Sequence, residues 1–222
     1  SIGRREQDEL ALASHRNAAA AWQGGFFDDL VVPFNDLTRD NNVRGDSSLE
    51  KLATLRPVFD TRGGGTLTAG NSTPITDGAS SIVLAAGDRA RELRERPAWI
   101  TGFEHRIETP VLGARDLTTS PSTATSAGVA TGGDVGSIDV AELYAPFSHQ
   151  QLILTEAIGL NGTTKVNPSG GALAANPMFS TGLERIGFAA RHIFDGSAQR
   201  VLAHATSGAA LQQNLVAVME GE

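Results

Sequence analysis

The chain has 222 residues, with 18 basic against 25 acidic side chains, a formal net charge of −7, 40% hydrophobic residues, 25 glycines and 9 prolines. This length can bury a sizeable core, and the composition fits a globular α/β protein with many tight turns. The acidic balance argues against a broad nucleic-acid-binding surface, which needs clustered Lys and Arg. No apolar run approaches the ~18 residues that a membrane span requires. The absence of cysteine removes disulfides, thiolate metal sites and cysteine nucleophiles from these residues together. It is compatible with a reducing, cytoplasmic setting. The five histidines are scattered without ligand spacing, so no metal is expected.

In chain order, alanine density and an apolar side built from Leu10, Leu12, Ala13, Ala19, Ala20 and Trp22 predict a helix over Arg4–Gln23, closed by Gly24-Gly25. His15 lies on it as an exposed residue. Residues 26–34 form a short apolar segment, followed by a polar loop over 35–46. Ser47-Ser48-Leu49-Glu50 reads as a capping box, with Ser47 capping Glu50, ahead of a short helix over 49–55. Thr66, Leu67 and Thr68 suit a strand. Residues 69–73 are nearly bare of side-chain bulk, so another backbone or a ligand can come close. Asp77-Gly78 marks a turn, and Ser81-Ile82-Val83-Leu84-Ala85 reads as a buried strand. A charged helix over 88–96 and a strand over Trp99–Ile107 follow. Residues 111–133 are the least regular: Pro121 can open a short helix through Ala130, but the Ser, Thr and Gly content weakens it. A strand over 138–143, helices over 148–157 and 182–194, and a strand over 200–203 complete the pattern.

The segment Leu55-Arg56-Pro57-Val58-Phe59-Asp60, a glycine linker, Thr66-Leu67-Thr68-Ala69-Gly70-Asn71-Ser72-Thr73 and Asp77-Gly78-Ala79 together resemble the thiolase family. The resemblance extends over nearly the whole chain and corresponds to about the C-terminal half of a usual thiolase. It implies an α/β thiolase fold, with a mixed β-sheet between helical layers. It also implies a loop-domain remnant over 1–62, the last part of the N-terminal half over 63–96, and a C-terminal domain over 97–222 built as one β-α-β-α-β-β unit. The nucleophilic cysteine of the family lies in the other half. The chain is therefore expected to be a fragment, a cleavage product or one of two paired chains, with an N-terminal segment or second chain as partner. Without that partner the strand over 81–85 would lack its neighbours, and an unpaired buried edge is costly. The chain is thus expected to be stable only when completed, and the complete unit to form a homo-oligomer.

The resemblance also assigns site residues. Arg44, in Asp40-Asn41-Asn42-Val43-Arg44-Gly45, is placed to meet coenzyme A phosphates, or is a solvated loop arginine. Leu55 and Phe59 resemble residues lining the adenine and pantetheine passage. Thr73 takes the place of a small hydroxyl residue near the pantetheine arm, and Ile75 that of an apolar residue touching it. For all four, ordinary packing is the alternative.

Where the family has Asn-Glu-Ala-Phe, this chain has Tyr144-Ala145-Pro146-Phe147. Pro146 and Phe147 then flank the acyl arm. Tyr144 replaces the Asn as a phenolic donor for an oxyanion, or packs under the following helix. Where the family has Gly-Gly-x-x-x-x-Gly-His-Pro, residues 167–177 keep Gly170-Gly171 and Pro177, are one residue short, and put Asn176 in place of the His. An amide can donate to an anion but cannot shuttle a proton near neutral pH. His204 lies on or beside the position of the family's acid/base cysteine, where it suits either proton transfer or a structural hydrogen bond. The tail around Gln212-Gln213-Asn214 looks most like thiolase-like lipid-transfer proteins. The resemblance thus implies an acyl-CoA C-acyltransferase acting on 3-ketoacyl-CoA, with coenzyme A as substrate or product and no other cofactor. The alternatives are a coenzyme A thioester or lipid-binding protein without thiolysis, and a carbon–carbon lyase on an acyl-CoA.

Overall fold

The computed structural model describes residues 2–222. The chain divides into two compact units. One comprises residues 1–78, 145–150 and 167–178, and the other 79–144, 151–166 and 179–222.

The first unit is built on helix α1 (Arg4–Gln23). Its buried side carries Ala11, Leu12 and Ala18, and also the polar Gln7, Asp8 and Ser14. A short helix α2 (Leu49–Ala53) packs Leu52 inward. Its N-cap is Ser48, whose hydroxyl accepts from the Lys51 N–H at 3.3 Å. The N-cap is thus displaced by one residue from the Ser47 reading, and the box is not completed, because the residue three on is Lys51, whose ammonium cannot accept the return bond. The strand expected at Thr66–Thr68 is reduced to a single bridge between Pro57 and Thr68. Thr68 closes instead on Asn71 in a side-chain turn.

The second unit holds a five-stranded mixed sheet in the order β1-β5-β4-β2-β3. Its strands are β1 (Trp99–Ile107), β2 (Val140–Leu143), β3 (Lys165–Val166), β4 (Arg200–Ser207) and β5 (Gln213–Glu220). β2 runs parallel to β3 and β4, and β5 runs antiparallel to β4 and β1. Helix α3 (Gly87–Leu93) precedes the sheet, α4 (Pro121–Ala130) starts on its proline, and α5 (Ser148–Ile158) and α6 (Thr181–Phe194) follow. From β1 onward the order is β-α-β-α-β-α-β-β, one strand and one helix more than the expected β-α-β-α-β-β.

Ala189, Ala190 and Ile193 of α6 pack on Val140, Val201, Ala203, Ala217 and Met219 of the sheet. Side chains alternate across a strand, so His204 and Asn214 point to the opposite face, where α4 lies: the Ser126 hydroxyl donates to the Asn214 carbonyl at 3.1 Å. Gly102, at a bulge in β1, is demanded by the same helix, since a Cβ there would stand 1.9 Å from the Ala130 carbonyl oxygen.

Residues 81–85 form no strand. Val83 and Leu84 are 86% and 76% exposed. The apolar run has the composition of a buried strand, but no strand among the described residues lies beside it to supply a ladder. The segment over 121–130, weak on helix propensity, does form a helix: its Ser122, Thr123 and Ser126 are buried, and tertiary packing outweighs propensity.

Candidate functional site

In the first unit, three distant runs of sequence are sewn into one frame. The base is α1, where the i, i+3, i+4 spacing of Arg4, Gln7 and Asp8 puts all three on one side. Arg4 pairs with Asp8 at 2.7 Å and donates to the carbonyls of Leu52 and Leu55. The other Asp8 oxygen accepts from Asn71 Nδ2 at 2.8 Å. Asn71, fully buried, also donates to the Thr66 carbonyl at 3.0 Å and accepts from the Thr68 N–H at 2.8 Å. Gln7 donates to the Thr66 hydroxyl at 2.9 Å. The bare loop over 66–73 is therefore fixed by side chains that reach its backbone.

That loop holds the second run. The Thr73 N–H donates to the Pro146 carbonyl at 2.8 Å, and Ser72 bridges to Phe147. The third run is held from both sides. The Thr73 hydroxyl donates to the Ala172 carbonyl at 2.5 Å, and the Thr76 N–H donates to the Asn176 carbonyl at 3.0 Å. Ser14 and Asn17 of α1 donate to the carbonyls of Gly170 and Asn167. Gly170 has φ +105°, and a Cβ on it would stand 2.5 Å from Ala18 Cβ. The close approach and the backbone conformation both require glycine.

On this frame sit most of the candidate binding residues. Phe59 meets Phe147 edge-on at 5.8 Å between centroids, and Phe147 stacks on His149 at 5.9 Å. Burial holds the His149 pKa below the ordinary value. Phe59 is 71% exposed and Ile75 78% exposed, whereas Thr73, Pro146 and Phe147 are half-buried. Leu55 is at the margin of exposure, and its side chain together with Leu52 fills the space that a Cβ on Gly70 would need. Asn176 is buried. Arg44 lies in the loop after the helix, exposed, and donates to the Asn41 carbonyl at 2.7 Å. Its backbone N–H donates to His15 Nδ1 at 3.2 Å. The His15 pKa is lowered, first by burial and then by the Arg44 charge, with Asp40 opposing. His15 is thus half-buried and engaged rather than simply exposed.

In the second unit, Tyr144 and His204 are neighbours through the backbone: the Tyr144 N–H donates to the His204 carbonyl at 3.1 Å. Tyr144 is buried and His204 completely so. The His204 Nε2 lies 2.9 Å from Asn214 Oδ1. Burial lowers the His204 pKa to about 4, with the Asn214 bond opposing, so the ring is neutral at pH 7. Among the described residues no group of three or more His, Asp or Glu could hold a metal ion, and no helix is long and apolar enough to cross a membrane.

The polar residues that build the frame, Gln7, Asp8 and Asn71, were not singled out as functional by the sequence reading. The signal available was polar residues at helical spacing on an otherwise apolar side. Asn214 carried no comparable local signal.

Residues 1–88 match the family described as thiolase, N-terminal domain. The 3-ketoacyl-CoA thiolase of Yersinia enterocolitica is 36% identical over 210 residues, covering 83% of this chain and 47% of that protein. The one from Photobacterium profundum is 37% identical with the same coverage. Human mitochondrial 3-ketoacyl-CoA thiolase in complex with CoA superposes with a TM-score of 0.83 at 25% identity, over all of this chain and 55% of that one. Bacillus anthracis acetyl-CoA acetyltransferase gives 0.82 at 27% identity, over all of this chain and 57% of that one. The chain belongs to the thiolase superfamily and has its α/β fold. It spans about half the length of the curated relatives it matches.

Proposed function

We propose that this chain supplies the coenzyme A-binding frame and the polar groups for proton transfer and anion stabilisation in a thiolase-type acyl-CoA C-acyltransferase, one that cleaves or condenses 3-ketoacyl-CoA. The observation that carries this reading is the convergence of residues 66–76, 145–150 and 167–177 on α1, with Phe59, Phe147 and Ile75 presented beside polar backbone. An apolar arm lies along such a surface while the backbone amides fix its carbonyls. Leu55, Phe59, Thr73, Ile75, Pro146 and Phe147 contact the pantetheine and acyl arm, and Arg44 meets the phosphates. The Asn176 amide in the first unit and the Tyr144 phenol in the second are each a donor suited to an oxygen that gains negative charge. His204, neutral at pH 7, takes the proton.

With no cysteine in the chain, the acyl-accepting thiolate comes from a partner segment or chain. The exposed apolar run at Val83 and Leu84 supports a partner covering it. The names of the relatives support the acyltransferase class. A cytoplasmic homo-oligomer of the completed unit is part of the same proposal.

Calorimetric titration of the chain with coenzyme A is expected to give saturable binding, and acetoacetyl-CoA thiolysis is expected only after addition of a cysteine-bearing first half. Absence of binding to both the chain and the completed protein overturns the reading. Binding with no thiolysis in the completed protein selects the second reading, a coenzyme A thioester or lipid-binding protein or an acyl-CoA lyase. The replacements at Tyr144, Asn176 and His204 favour that second reading.

A further inference from the structure

We infer that Asn214 is a positioning residue that holds His204 as its Nε2–H tautomer, leaving Nδ1 as the only atom of the ring able to accept a proton. The inference follows from a chain of hydrogen bonds in the second unit in which every donor is determined.

Glu108 Oε1 accepts from both the N–H and the hydroxyl of Ser122, at 3.1 and 2.5 Å. The Ser122 hydroxyl proton is thereby committed, so its oxygen is an acceptor toward Asn214 Nδ2 at 2.7 Å. The same Nδ2 lies 2.7 Å from the Leu211 carbonyl, which can only accept. These two contacts fix the amide: its NH2 faces Ser122 and Leu211, and its Oδ1 faces His204. An amide oxygen only accepts. The proton in the 2.9 Å contact therefore belongs to His204 Nε2. In the neutral ring the other nitrogen is then a bare acceptor, and His204 Nδ1 has no hydrogen-bond partner among the described residues.

The donors all point one way, from His204 through Asn214 and Ser122 to the carboxylate of Glu108, an arrangement in which each bond polarises the next. An amide does not readily pass a proton along, so the chain orients the ring rather than conducting.

A second observation ties it to the turn after β4. Ala210 and Leu211 are consecutive non-glycine residues at φ +51° and +57°, a conformation that carries strain. Arg115, beside Glu108 at 3.7 Å, donates to the carbonyls of Ala209 and Ala210, and Asn214 holds that of Leu211. The same polar groups thus fix the turn and the imidazole.

That Nδ1 takes a proton in catalysis rests on the function proposed above; the tautomer does not. With only five histidines, selective 15N labelling resolves each ring, and loss of signals in His204→Gln assigns His204. The expected spectrum has a protonated Nε2 with slow solvent exchange and an unprotonated Nδ1. A protonated Nδ1 overturns the inference with no variant needed. Asn214→Leu removes the acceptor and is expected to speed Nε2–H exchange about tenfold, one lost buried hydrogen bond, while Asn214→Asp, which keeps an acceptor, restores slow exchange. Exchange in Asn214→Leu as slow as in the parent also overturns it. Failure of thiolysis in the completed protein with the expected spectrum intact counts against the function and not against the tautomer.

Discussion

In the unit built on α1, buried polar side chains bond one another, as Asn71 does Asp8, and several of them also reach the backbone of the loops. Asn71 reaches the Thr66 carbonyl and the Thr68 N–H, Ser14 the Gly170 carbonyl, and Thr73 the Ala172 carbonyl. In the sheet unit, where Ser126 and Asn214 also reach backbone carbonyls, the distinctive buried polar contacts join side chains far apart in sequence. Arg185 meets Glu142, His204 meets Asn214, and Asn214 meets Ser122. Polar groups bonded to backbone hold irregular loops in one shape where no regular ladder does so. Polar groups paired within a sheet core orient particular side chains and carry a larger cost when one partner is lost. The two units should therefore respond differently to mutation.

The largest effect is expected in the sheet unit. Glu142 and Arg185 are both buried, 3.2 Å apart between β2 and α6. Arg185→Met takes a guanidinium away from the buried Glu142 carboxylate, which costs about 4 kcal/mol. Adding Glu142→Leu should recover most of that loss, because a well-packed apolar pair costs little relative to a buried ion pair. Denaturant unfolding of the two single variants and the double variant measures the coupling. A double variant as unstable as Arg185→Met would mean that the loss comes from other Arg185 contacts, such as those to Glu184 and Phe188, and not from the Glu142 carboxylate.

The next effect depends on pH. His204 titrates near 6.5 when unfolded and near 4 when folded. Between those values the unfolded chain binds more protons. Stability is therefore full above about pH 6.5 and falls as the pH drops toward 4, by about 3 kcal/mol from this residue. His15, His149 and His192 are also lowered, mainly by burial, and push in the same direction. The contribution of His204 is thus the part of the slope that His204→Gln removes. An unchanged slope between pH 6.5 and 4 in that variant would contradict its burial as a neutral ring.

The same contrast explains what could be read in advance. The helix over Arg4–Gln23, the strand over Trp99–Ile107 and the start of α4 at Pro121 are local matters of periodicity, alternation and a proline at the first turn, and they fell where the sequence put them. The loop frame was legible through the glycine-rich run and its resemblance, because positions such as Gly170 admit no side chain. The His204–Asn214–Ser122–Glu108 chain was not legible: its members are 10, 92 and 14 residues apart, and no local pattern links them. Residues 81–85 were misread because apolar composition records a preference for burial, and burial needs a neighbour.

A smaller effect belongs to the loop frame. Asn71→Ala removes three hydrogen bonds and leaves Asp8 and the Thr68 N–H without this partner in a buried place. About 2 kcal/mol of stability should be lost, with weaker coenzyme A binding because the loop over 66–73 loosens. Asn71→Asp should be worse, since it sets a second carboxylate beside Asp8.

The smallest effect on stability, and the sharpest on function, is expected at Phe59. Its ring is 71% exposed and touches Phe147 edge-on, so Phe59→Ala should change stability by no more than about 0.5 kcal/mol. If the ring lines the coenzyme A passage, truncating it removes an apolar contact worth about 1.4 kcal/mol, or tenfold in affinity. Calorimetric titration against coenzyme A checks the second number, and denaturant unfolding of the same preparation checks the first. Weakened binding with stability unchanged separates the loop frame from the sheet unit, where the substitutions above act on the fold. Equal affinity would remove Phe59 from the passage and return it to ordinary packing.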